Sequence, residues 1–197
     1  LFIFGEDPMR TDPDTNHVRR ALSALDFLVV DELFLTETAK LADVVLPGIS
    51  YAEKDGTFTN TERRVQRVRK AVPSPGNAKP DTWIFTELMN RMGYPQPHLT
   101  PAQIMEEISS LTPSYGGISH ARLDSEELHG QGLQWPCPSP EHPGTPILHV
   151  GQFSRGRGLF APYAYVPSME LPDESYPFLL MTGRSPYHYT ACAMTDK

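Results

Sequence analysis

Three short apolar runs at the start of the chain constrain its fold most. Residues 1–4, 27–30 and 44–46 each read as a buried strand. They stop at residues that end strands: Gly5, Asp31-Glu32 and Pro47-Gly48. Between the first two runs, Asp12-Pro13 reads as a helix N-cap with proline at the first helical position, and Val18, Ala21, Leu22 and Leu25 follow at helical spacing. Before the third, Thr36 is placed to cap a short helix over 37–41. Strand, helix, strand, helix, strand predicts parallel strands joined by crossovers.

The character changes after residue 51. Asp55-Gly56 is a turn signal, and 57–60 and 64–72 are rich in Thr, Val and Arg. They are expected to pair as strands through the turn Asn60-Thr61-Glu62-Arg63. Arg63, Arg64, Arg67, Arg69 and Lys70 form the main basic concentration, which suits a solvated strand face or an anionic ligand site equally. Asp81 is expected to cap a helix with Ile84, Phe85, Leu88 and Met92 on one face, ended by Gly93. Thr100-Pro101-Ala102-Gln103 is a capping box opening a helix that carries Ile104, Ile108 and Leu111. The chain's 20 prolines crowd into its second half, so 112–175 should be largely irregular, with short strands at 147–150 and 163–166. Residues 177–182 read as a further strand, closed by Gly183-Arg184.

Composition excludes several classes. A net charge of −7 argues against a general nucleic-acid binder. Two cysteines, Cys137 and Cys192, cannot build a disulfide framework, and no Cys/His set has zinc or iron–sulfur spacing. No apolar run approaches the roughly 20 residues that span a bilayer. The glycine-rich phosphate loops of common NAD and ATP sites are absent, as is a G-x-S-x-G elbow. The first residues already read as a strand and the last follow a strand-like run, which suggests a segment of a longer polypeptide.

In open parallel sheets, ligands sit beyond the carboxyl ends of the strands. Here those ends carry Gly5-Glu6-Asp7-Pro8 with Thr11 behind it, Asp31-Glu32, and Pro47-Gly48-Ile49-Ser50. A carboxylate such as Asp7 or Asp31 can accept from guanine N1–H and its 2-amino group, or from a ribose diol. Thr11 and Ser50 can donate to phosphate. The same acids also serve as turn formers and helix caps. Arg184, His188, Tyr189 and Thr190 gather in one late segment suited to a phosphate or polar heterocycle, or to a plain surface loop. The residues alone support an α/β domain with a candidate nucleotide site, followed by a β-rich region.

Several runs, in order, resemble the molybdopterin oxidoreductase family. They are Gly5-Glu6-Asp7-Pro8, His17-Val18-Arg19-Arg20-Ala21-Leu22, Leu28-Val29-Val30, and the stretch from Thr36-Glu37-Thr38-Ala39-Lys40 to Pro47. The run Glu53-Lys54-Asp55-Gly56-Thr57-Phe58-Thr59-Asn60-Thr61-Glu62-Arg63-Arg64-Val65-Gln66 is the most diagnostic, and resembles the catalytic alpha subunit of formate dehydrogenases. Arg91-Met92-Gly93-Tyr94, Gln134-Trp135-Pro136-Cys137 and Met181-Thr182-Gly183-Arg184 with His188 fit the same subunit.

The resemblance implies an α/β plus β architecture with domains discontinuous in sequence. Residues 1–50 and 80–101 would belong to a parallel-sheet α/β region that binds a pyranopterin guanine dinucleotide. Residues 51–79 and 102–145 would form a β-rich insertion, 146–169 a linker, and 170–197 the start of a C-terminal β-barrel domain. It implies a bis-molybdopterin guanine dinucleotide with Mo or W, and a [4Fe-4S] cluster in the parent chain that this segment does not ligate. Cofactor contacts carry over to Asp7, Thr11, Asp31 (where many relatives have Gln), Gly48, Asp81, Arg184, His188, Tyr189 and Thr190. No catalytic residue and no metal ligand is expected here. The implied whole is a cytoplasmic formate dehydrogenase, with the rest of the catalytic subunit and iron–sulfur subunits as partners, and neither nucleic-acid binding nor membrane insertion. The rivals are another family oxidoreductase such as a nitrate reductase, a cofactor-free structural subunit of a respiratory complex, and a freestanding nucleotide-binding module.

Overall fold

A computed structural model describes residues 1–128, 130–181 and 183 of the 197-residue chain. The chain divides into two units, Leu1–Leu148 and His149–Lys197.

In the first unit, strands β1 (Phe2–Phe4), β2 (Val29–Glu32) and β3 (Val44–Pro47) form a parallel sheet in the order β1-β2-β3. Central β2 is buried, as a parallel strand flanked on both sides should be. It starts two residues later than its apolar run predicts and continues through Asp31 and Glu32. The ladder decides this, because Asp31 pairs with Leu46 and Glu32 with Pro47, while Phe27 remains half exposed. The crossover from β1 carries α1 (Pro8–Thr11) and α2 (Thr15–Ser23). Asp14, rather than Asp12, is the N-cap of α2, and its carboxylate accepts the His17 N–H at 2.9 Å. Asp12 is already used as the C-cap of the short α1. The second crossover is a turn and a 3-10 helix at Ala39–Leu41, with the Thr36 hydroxyl accepting the Ala39 N–H as expected of a cap. Met9, Leu22, Leu28, Val30 and Ala39 pack together under the sheet.

A second, antiparallel sheet joins β4 (Gly56–Thr59), β5 (Arg64–Val68) and β6 (Leu133–Gln134) in that order. The Asn60 side chain shapes the hairpin turn by accepting from the N–H groups of Glu62 and Arg64, and Arg63 adopts a φ of 65°. Strand β6 lies inside the proline-rich region, at a position other than the two short strands expected there. Helix α3 (Asp81–Arg91) follows Pro80, and α4 (Pro101–Leu111) opens on the predicted Thr100–Gln103 capping box. Their apolar faces differ from the expected ones. Ile84 and Met105 are buried, but Met92 and Leu111 are largely exposed. A one-turn α5 (His120–Leu123) follows. Val65, Met105, Ile118, Leu123, Leu133 and Cys137 form the second core.

The arginines of the basic cluster serve this second sheet. Arg63 donates to the carbonyls of Trp135, Thr145 and Pro146 and lies over the Trp135 ring. Arg67 bonds Asp124 at 3.1 Å and the Gly56 carbonyl at 2.7 Å, and Arg69 bonds Asp124 too. Arg122 Nη1 donates to the carbonyls of Gly117 and Ser139 and to Cys137 Sγ, and Nη2 to the His142 carbonyl.

In the second unit, the described residues form no helix and no named strand, only an isolated bridge between Phe153 and Gly156. The strands expected at 147–150 and 163–166 are not formed, and 177–181 carries none. Alternating apolar residues become a strand only where a neighbour completes the ladder. Thr182 lies outside the described residues.

Candidate functional site

The parallel sheet fixes where a site can form. At its carboxyl edge the Gly5 N–H donates to the Asp31 carbonyl at 2.9 Å and the Gly48 N–H to the Glu32 carbonyl at 3.2 Å, so the three strand ends lie side by side. The Lys79 N–H donates to the Pro47 carbonyl at 3.0 Å and brings the start of α3 to the end of β3. Asp81 is therefore delivered beside Gly48. It occupies the first helical position after Pro80 and not the cap, so its carboxylate is free to pair with Lys54 Nζ at 3.3 Å.

Asp31, Gly48 and Asp81 thus converge. A Cβ built on Gly48 would stand 2.7 Å from Asp31 Oδ1 and 3.6 Å from Asp81 Oδ1, so only glycine leaves this space open without displacing Asp31. Asp31 is 3% exposed, and its Oδ2 is buried without a hydrogen-bond partner among the described residues. Buried polar atoms are rarely left so. Burial, then the neighbouring Asp81 and Glu32 carboxylates, push the Asp31 carboxyl up to about 6, against the opposing charge of Lys54.

Asp7 is employed differently. Its Oδ1 accepts from the Thr38 hydroxyl at 2.5 Å and the Thr38 N–H at 3.1 Å, and the Thr38 hydroxyl accepts from the Met9 N–H. Asp7 and Thr38 are both buried, so they knot the first strand end to the second crossover. Thr11 donates to the Asp7 carbonyl at 3.2 Å. Ile49 is buried directly after Gly48, and Ser50 forms a capping box with Glu53.

Of the residues singled out in the sequence, the structure brings Asp31, Gly48 and Asp81 together and ties Asp7 and Thr11 into the first loop. Arg184, His188, Tyr189, Thr190 and Cys192 lie outside the described residues. Cys137 is buried beside Arg122. Lys54 and Thr38 were not singled out. The signal for Lys54 was a lone cation between Glu53 and Asp55 ahead of the Gly56 turn; its partner lies 27 residues away. Among the described residues, no three His, Cys, Asp or Glu side chains gather as a metal site, and no helix is long and apolar enough to cross a membrane.

Residues 1–91 match the family model for molybdopterin oxidoreductase. The chain thus carries a molybdopterin oxidoreductase domain over those residues. Over its full length it is 52% identical to the alpha subunit of F420-dependent formate dehydrogenase 2 from Methanococcus maripaludis. It is 50% identical to the alpha subunit of F420-dependent formate dehydrogenase from Methanocaldococcus jannaschii. Both alignments cover 29% of the relative, so the chain spans under a third of the length of these curated relatives. A putative formate dehydrogenase of Staphylococcus haemolyticus is 42% identical over 99% of this chain and 19% of its own. Acetylene hydratase from Pelobacter acetylenicus resembles 61% of the chain and 17% of its own, at 23% identity and a TM-score of 0.49.

Proposed function

We propose that this chain is a cofactor-holding segment of a formate dehydrogenase catalytic subunit, and that its Asp31–Gly48–Asp81 seat takes the guanine end of a pyranopterin dinucleotide. The buried, unpartnered Asp31 oxygen carries the reading. A base edge presenting two adjacent N–H donors would satisfy it, and the missing side chain at Gly48 leaves room for approach.

When bound, the pterin–metal group supplies the two-electron chemistry of formate oxidation to CO2, with Mo or W as the metal. This chain's residues bind and orient. Asp31 accepts from the base, and Asp81, held by Lys54, lines the other side of the seat. The Asp7–Thr38 knot keeps the first strand end in register with the second crossover. Arg184, His188, Tyr189 and Thr190 are assigned by family resemblance to closing over the pterin end.

The same reading divides the chain into 1–50 with 80–101 around the parallel sheet, 51–79 with 102–145 around the antiparallel one, a linker over 146–169, and a barrel start from 170. Two separate cores, one under each sheet, support the first two parts. The parent is read as a cytoplasmic enzyme with a bis-dinucleotide cofactor, a [4Fe-4S] cluster ligated outside this segment, and iron–sulfur partner subunits. Its electron acceptor is read as F420, on the names of the relatives at 52% and 50% identity.

Elemental analysis with acid-released GMP, made on the full-length protein from its own source, tests the reading. Molybdenum or tungsten with twice its molar amount of GMP is expected. Freshly isolated protein with neither would make the chain part of a cofactor-free structural subunit.

A further inference from the structure

The seat holds more negative charge than a resting pocket needs. Asp31 sits behind Gly48 with one oxygen unpartnered, and the Asp81 carboxylate stands across the space that Gly48 leaves open. The charged groups bearing on Asp31 are Glu32 from its own strand, Asp81 from α3 and Lys54 from the turn ahead of β4. Among the described residues that bear on Asp31 only Lys54 is positive, and it contacts Asp81.

We propose that the seat exchanges a proton for its ligand: a base edge that donates to Asp31 drives a proton from Asp31 to solvent, and Lys54 sets how readily that proton leaves. The proposal rests on the guanine-seat reading above. No bond other than O–H breaks, and the N–H donors of the base replace the lost proton as partners of Asp31.

The signs follow. In the empty seat the Asp31 carboxyl is raised to about 6, so near pH 6 about half the molecules carry the proton. Two N–H donors stabilise only the ionised acid, so the bound form lacks it. Binding therefore releases a proton at low pH and none well above the midpoint. Affinity falls as pH drops through 6 and is flat above it. Removing Lys54 strips away the opposing charge among the described residues and moves the midpoint upward.

The test is calorimetric titration of the cofactor-free full-length protein with guanosine, in buffers of different ionisation enthalpy, from pH 5 to 8. Guanosine is chosen because it does not itself titrate in that range. Release of about half a proton per guanosine at pH 6, near none at pH 8, and a Kd rising about fivefold from pH 6 to pH 5 are expected. Lys54→Gln should shift the release midpoint upward, and Asp31→Asn should abolish release. Guanosine binding with a pH-independent Kd and no proton release would overturn the exchange while leaving the guanine seat intact. A Lys54→Gln midpoint equal to that of the unaltered protein would overturn the part given to Lys54. Absence of binding at pH 8 would overturn the seat itself.

Discussion

Gly48 and Asp31 are a matched pair, one lacking a side chain so that the other can stand where it does. Gly48→Ala forces a Cβ to within 2.7 Å of a buried oxygen, and Asp31 must turn. The expected outcome is a full-length protein that folds, with at most about 1–3 kcal/mol lost from overpacking, but retains far less GMP per chain. Circular dichroism and acid-released GMP, measured on the same preparation, check both halves. Asp31 also makes stability depend on pH. Its folded carboxyl titrates near 6, above the unfolded value, so its favourable contribution is complete below about pH 4 and is lost as pH rises through 6. Asp31→Asn should therefore stabilise the cofactor-free protein at pH 8 by roughly 2–3 kcal/mol and make little difference at pH 4. Denaturant melts at the two pH values read this directly. Thr38 is the opposite case, a hydroxyl with every partner in place. Thr38→Val leaves the Met9 N–H unpartnered and Asp7 short of a donor, and should cost about 2–3 kcal/mol, read by denaturant melts.

At the scale of elements, legibility follows the range of the deciding interaction. The Thr100–Gln103 capping box and the Asn60 turn were readable because their partners lie within four residues. The parallel order of the first three strands was readable from alternation of strand and helix signals. The helical faces were readable only in part: Ile84 is buried as its spacing predicts, but the burial of Met105 and the exposure of Met92 and Leu111 depend on what packs against them. Strand β6 was invisible for the same reason. It is two residues long, and what makes it a strand is the partner β5, some seventy residues earlier in the chain. At the site, Asp31, Gly48 and Asp81 were legible from strand ends and resemblance, whereas the Lys54 contact needed the fold. The basic cluster shows the limit of composition: five cations in eight residues suited a solvated strand face and an anionic ligand site equally, and the fold spends Arg63 and Arg67 on carbonyls and Asp124. A double-mutant cycle on Arg67→Ala and Asp124→Ala should give a coupling of about 1 kcal/mol, since Arg67 is largely enclosed but Asp124 is partly open to solvent.

For the molecule as a whole, the parallel sheet has two edge strands, and Phe2, Phe27, Val44 and Val45 are exposed to between 38% and 51%. Parallel sheets are ordinarily covered on both faces. The 197-residue segment expressed alone should therefore associate in sedimentation velocity and bind an apolar dye, and the full-length protein should do neither. The contact between Lys54 and Asp81 has a consequence of timing. Lys54 enters with the antiparallel hairpin and Asp81 with the helix after it, so the acidic end of β2 meets the Lys54 charge only after both have folded back against the first sheet. A nucleotide arriving earlier would find a pocket of uncompensated acid. On the guanine-seat proposal, loading would wait on assembly, with one lysine as the latch that reports its completion.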